Sequence, residues 1–182
     1  MNALKVEKIS KSYPGFRLRD VSFSVEAGTI MGFIGRNGAG KTTTLKSIMN
    51  MVHMDGGRVR FFGLDMAQKE RDIKQRIGYA GGAVDYYPKQ KIRKLLDITS
   101  RFYDNWDEGL CSRYLKLFSL DENKTPSDLS EGMKVKLNLT IALSHGAEFL
   151  ILDEPTSGLD PVSRAELLEI FRQMKAMGIG IL

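Results

Sequence analysis

Residues 35–42 read Gly-Arg-Asn-Gly-Ala-Gly-Lys-Thr, an instance of the pattern G-x-x-x-x-G-K-[ST]. Glycine at 35, 38 and 40 lets the backbone wrap an anion and turn its N–H groups inward. The stretch before it, TIMGFI at 29–34, is a short apolar run that suits a buried strand. From Lys41 onward, Leu45, Ile48, Met49 and Val52 recur at i, i+3, i+4 and i+7, one face of a helix. Strand, glycine loop and helix start in that order form a phosphate cradle, because the helix N-terminus adds partial positive charge. Gly35, Asn37, Gly38, Ala39, Gly40, Lys41, Thr42 and Thr43 are therefore the candidate nucleotide-binding residues. Lys41 is placed to reach the β- and γ-phosphates, and the Thr42 hydroxyl to ligate Mg²⁺.

Working outward, GGRVRFFG at 56–63 reads as a strand between glycine turns. Helical periodicity runs through 89–103, with Ile92, Leu95, Leu96 and Phe102 inward, and through a second stretch carrying Leu110, Tyr114, Leu117 and Phe118. A helix follows Gly132. EFLILDEP at 148–155 is an apolar strand that ends in two acids, and 162–176 is helical again before the strand-like GIGIL. This alternation predicts an α/β fold with a mostly parallel sheet. The expected organisation is one domain over 1–182. Residues 1–84 and 148–182 would form the α/β core, and 85–147 an inserted helical subdomain.

The 182 residues suffice for one packed domain, and 42% apolar with 27% charged residues is an ordinary balance. No apolar run approaches the length of a membrane span, and the N-terminus lacks a signal-type apolar core, which predicts a cytoplasmic protein. The lone cysteine, Cys111, excludes an intrachain disulfide and reads as a small buried residue on a helix. The net charge of +5 suits an acidic partner such as a nucleotide. The basic run KQKIRK at 89–94 reads as the wet face of a helix, so no nucleic-acid partner is expected.

Asp153, at the end of the 148–155 strand, can hold Mg²⁺ through water, and Glu154 beside it points elsewhere on an extended backbone. That makes Glu154 the candidate to polarise an attacking water. LSEGM at 129–133 is a second helix entrance with Ser130 as a cap.

GRNGAGKTT, LSEGM and LILDEPTSGLD, in this order, resemble the ATP-binding cassette (ABC) ATPases over nearly the whole chain. The likeness is strongest, within that family, to the ATPase subunits of ABC-2-type exporters. The resemblance implies a P-loop core with a β-rich N-terminal part, and ATP and Mg²⁺ as cofactors. It also implies hydrolysis of ATP to ADP and phosphate, with Glu154 and Lys41 catalytic and Thr42 and Asp153 at the metal. Tyr13 in KSYPG matches the aromatic that stacks on adenine, although alone it is an ordinary strand tyrosine. Ser130 and Gly132 match the signature that closes on the nucleotide of a second, head-to-tail copy. Asp160 matches the loop that communicates between the two sites. An integral membrane permease is the implied partner, which would hold the subunit at the inner face of the membrane.

Three departures stand out. Glu131 and Met133 replace Gly and Gln in the signature. A carboxylate aimed at a phosphate is strongly repelled, so Glu131 is expected to turn away, toward Lys134. The glutamine that senses γ-phosphate falls on Gly82, with Asp85 a poor substitute. No histidine follows Glu154, since His53 and His145 both precede it, and a C-terminal part of the family domain is expected to be absent. Alternatives to a transport ATPase are an ATP-binding module with little turnover, or an ABC protein of translation or DNA repair.

Overall fold

A computed structural model describes residues 2–81 and 89–182; Gly82 and Asp85 lie outside the described residues. The first half is built on a long hairpin, β1 (Asn2–Tyr13) and β2 (Phe16–Glu26), turned at Pro14-Gly15 with Gly15 at φ +81°. β3 (Gly56–Phe61) adds antiparallel to β1, and the short β4 (Leu64–Asp65) closes the sheet in the order β2-β1-β3-β4. Gly57 is required there. A Cβ on it would lie 2.5 Å from the Lys8 carbonyl oxygen and from the Ile9 Cα.

The second sheet is parallel, in the order β5 (Ile77–Gly81), β6 (Phe149–Asp153), β7 (Gly180–Ile181). Parallel neighbours need long crossovers, and these are helical. α3 (Ile92–Ser100), α4 (Glu108–Leu117) and α5 (Glu131–Ser144) lead from β5 to β6, and α6 (Pro161–Ala176) leads from β6 to β7. α1 (Lys41–Ile48) and α2 (Glu70–Lys74) lie earlier in the chain.

β6 explains its own continuous apolar run. Phe149 and Ile151 enter one core with Leu4, Ile48, Phe61 and Ile77, while Leu150 and Leu152 enter another with Leu95, Leu139 and Leu167. A strand buried on both faces reads as uninterrupted hydrophobics rather than an alternation. Cys111 is buried on α4, as expected. Among the described residues, no helix is long and apolar enough to cross a membrane.

Three local expectations differ. Phe102, expected inward on a helix over 89–103, follows the end of α3 and is 71% exposed. TIMGFI does not form a buried strand. It makes one parallel bridge, Ile30 to Ile181, with the Met31 N–H donating to the Ile181 carbonyl at 2.8 Å. The ladder with β7 goes no further, and Ile34 is 96% exposed while Met31 and Phe33 are half-buried. The run KQKIRK is only partly helical. α3 begins at Ile92, which is fully buried, so Lys89 and Lys91 lie before the helix and Arg93 and Lys94 on its exposed face.

Candidate nucleotide site

Gly38 and Gly40 take φ of +80° and +92°, a region that side chains resist, so the loop turns sharply into α1. Gly40 is the N-cap of α1 and supplies no side-chain cap, and the first turn carries no acid. The first N–H groups of the helix therefore face outward without a side-chain acceptor, which is the electrostatic requirement for an anion. They open onto a cavity of about 400 Å³ lined by Asn37, Gly38, Gly40, Lys41, Thr42 and Thr43, with Phe16 and Glu154 across from them.

Lys41 is folded back on its own loop. Its Nζ donates to the Gly35 carbonyl at 2.8 Å and to the Arg36 carbonyl at 3.3 Å, and pairs with Glu154 Oε1 at 3.5 Å. The Thr42 hydroxyl donates to Asp153 Oδ1 at 3.3 Å, so the helix start and the end of β6 meet at two oxygens. A hydroxyl and a carboxylate are hard oxygen donors of the kind Mg²⁺ takes, usually with waters and substrate phosphates completing the shell.

Glu154 departs from the extended backbone expected of it. Its φ is +51°, in the left-handed region, which re-aims the carboxylate toward Lys41. Asp153 has a neighbour that sequence reading missed. On the adjacent strand, the Tyr79 hydroxyl and the Asp153 Cβ both crowd the space above Gly81, where a Cβ would come within 2.3 Å and 2.9 Å of them. Burial pushes the Tyr79 phenol up, and the Asp153 charge adds to the shift.

Tyr13 does not line the cavity. It is 43% exposed at the hairpin end, with Lys11 Nζ 5.4 Å above its ring. Its cross-strand partner Phe16 does line it, packed so closely on the loop that a Cβ at Gly40 would lie 2.7 Å from the Phe16 Cζ. The signal was an aromatic paired with Tyr13 across a Pro-Gly turn, but assigning it needed the register of the hairpin.

Ser130 and Gly132 lie elsewhere, at the start of α5. Ser130 Oγ accepts from the Met133 N–H at 3.3 Å as N-cap. Glu131 turns to Lys134, with Nζ to Oε1 at 2.6 Å. A Cβ on Gly132 would meet nothing closer than 3.7 Å, so this chain's own packing does not demand a glycine there. Asp160 caps α6, its Oδ1 accepting from the Val162 and Ser163 N–H groups and its Oδ2 from the Ser163 hydroxyl. The Ser163 hydroxyl and backbone hold the Asp160 carboxyl below its usual range.

A family model described as "ABC transporter" matches residues 18–157. The ABC transporter ATP-binding protein YtrB of Bacillus subtilis is 33% identical over 168 residues, 92% of this chain and 57% of that protein. The bacitracin transport ATP-binding protein BcrA of Bacillus licheniformis is 31% identical, over 94% of this chain and 57% of its own length. The chain thus spans little more than half the length of these curated relatives. Among solved structures, an ATP-binding subunit of an ABC transporter superimposes with a TM-score of 0.85 at 30% identity, covering 99% of this chain and 78% of the other. An ATP-binding cassette solved in its ADP conformation gives 0.82 at 25% identity, covering 100% and 80%. The family match takes in both halves of the site, the glycine loop before α1 and the carboxylates at the end of β6 and just past it, and the chain belongs to the ABC transporter family of ATP-binding proteins.

Proposed function

We propose that the chain binds ATP at the 35–43 loop and hydrolyses it as the ATP-binding subunit of an ABC transporter, energising a membrane permease at the cytoplasmic face. The observation that carries this reading is the convergence of Lys41, Thr42, Asp153 and Glu154 on an uncapped helix start. Glycine-loop N–H groups and Lys41 cradle the phosphates. Thr42 and Asp153 would hold Mg²⁺, which when bound offsets charge on the phosphate oxygens. A phosphate arriving at Lys41 competes with Glu154 for the same ammonium group. Displaced from that pair, Glu154 is free to orient the water that attacks in line. Phe16, on the cavity wall, supplies aromatic surface for the base, with Tyr13 paired to it across the hairpin.

Ser130 and Gly132 serve the nucleotide of a second copy in a head-to-tail dimer. The spare room at Gly132 supports this, because a glycine that its own chain does not require suits close approach from outside. The ion pair with Lys134 keeps the Glu131 charge off that approach.

The test is ATP binding and phosphate release in the wild type and in Glu154→Gln. The variant should bind ATP while phosphate release falls at least ~100-fold, the scale of a lost general base. Release by the variant at the wild-type rate, or a wild type that binds ATP and releases no phosphate, contradicts the hydrolytic reading.

A further inference from the structure

Side chains alternate along β5. Ile77 and Tyr79 face the core that holds Phe149 and Ile151, and Ala80 faces the other core. Gly81, two residues past Tyr79, lies on the Tyr79 face and is the register partner of Asp153 on β6. A side chain at position 81 would therefore stand beside the Asp153 carboxylate, and Gly81 supplies none. The Tyr79 hydroxyl fills that place instead. A Cβ on Gly81 would lie 2.3 Å from the hydroxyl oxygen and 2.9 Å from the Asp153 Cβ. The phenol thus ends next to Asp153, at the edge of the sheet where Thr42 and the start of α1 meet it.

Tyr79 is half-buried, and a tyrosine O–H withdrawn from water usually finds an acceptor. The phenol keeps its proton at neutral pH and an ionised carboxylate only accepts, so the direction of donation between the two groups is fixed. Asp153 has a use for such a donor. Its Oδ1 accepts from the Thr42 hydroxyl at 3.3 Å, and the second oxygen offers further lone pairs. Carboxylates that ligate a metal are held in orientation by hydrogen bonds of this kind, and losing one typically costs about 10–100-fold in metal affinity.

We propose that Tyr79 is a positioning residue for the metal: its hydroxyl donates to the Asp153 carboxylate and fixes the oxygens that Asp153 and Thr42 would present to Mg²⁺. The proposal rests on the reading of Thr42 and Asp153 as the residues that hold Mg²⁺. Gly81 belongs to the same device, because a side chain there would evict the hydroxyl. Tyr79 acts through Asp153, so it governs the metal's contribution to nucleotide affinity and leaves the hold of the glycine loop on the phosphates unchanged.

The test titrates the full chain by calorimetry with the non-hydrolysable analogue β,γ-imido-ATP, once in excess Mg²⁺ and once in EDTA. The ratio of the two affinities is the gain due to metal. The wild type should show a gain that Asp153→Asn loses. Tyr79→Phe, which keeps the ring and removes only the hydroxyl, should bind as the wild type does in EDTA and lose about tenfold of the gain in Mg²⁺. Gly81→Ala should behave as Tyr79→Phe does, with circular dichroism checking that each variant is folded. A wild type without a gain, or a gain that survives in Asp153→Asn, removes the metal reading and the proposal with it. A gain that Asp153→Asn loses and Tyr79→Phe keeps in full overturns the proposal alone. An equal loss of affinity in EDTA and in Mg²⁺ for Tyr79→Phe also overturns it, because that is the mark of packing and not of metal positioning.

Discussion

Lowering the pH from 7.5 to 4.5 sets a proton in competition with the packing around His145. The imidazole is 1% exposed, lies flat against Tyr103 at an interplanar angle of 3°, and faces the Gln75 carbonyl through Nδ1. Burial pushes its pKa down from 6.5 to about 4, against the pull of the Gln75 hydrogen bond. An unfolded chain takes that proton near pH 6.5, whereas the folded chain does not until about pH 4. Between those values the unfolded state holds one more proton, so stability rises with pH. The contribution is complete above pH 6.5 and is lost as the pH falls toward 4. At about 1.4 kcal/mol per pH unit, the loss at pH 4.5 is about 2.5 kcal/mol, a large share of a domain's stability. Urea unfolding at both pH values, in the wild type and in His145→Phe, measures it. Phenylalanine keeps the stack on Tyr103 and cannot titrate. The two proteins differ only at position 145, so the difference between their acid losses isolates His145. The wild type should lose about 2.5 kcal/mol more than the variant. Equal losses would refute the argument that burial keeps this ring neutral.

Gly78→Ala should destabilise by about 1–3 kcal/mol, because a Cβ there lies 2.4 Å from the Ala142 Cβ and 2.7 Å from the Leu150 Cδ2 in a close-packed core; an unchanged urea midpoint would show that α5 yields easily. Ser130→Ala should cost about 1 kcal/mol through loss of the α5 cap, and Ser130→Asp should restore most of it; equal stability of all three proteins counts against the cap.

The loop at 35–42 and the apolar β6 were legible because each is fixed locally. Glycines at 38 and 40 are needed by a turn that their own φ values define, and the run Phe149–Leu152 faces cores on both sides. The turn of Glu131 toward Lys134 was readable for the same reason, as an i, i+3 pair on one helix. What depended on partners far along the chain was not readable. The segment 29–34 is apolar enough for a buried strand, yet burial is set by neighbouring strands, and its ladder reaches only Ile30. Phe16 entered the site through the register of a hairpin whose pairing slips between Val6 and Ile9 and again before Lys11. Glu154 follows a strand, and only its left-handed φ reveals that its carboxylate turns onto Lys41.

The most direct measurement is a titration of MgATP into the wild-type chain and into Lys41→Ala. Lys41 sits at the outward start of α1 with no role in either apolar core, so its loss should leave the fold intact. If the loop at 35–43 is the nucleotide site, the variant should bind at least ~10-fold more weakly, the loss of a charge-assisted hydrogen bond or more. Equal affinity of the two proteins would contradict the assignment.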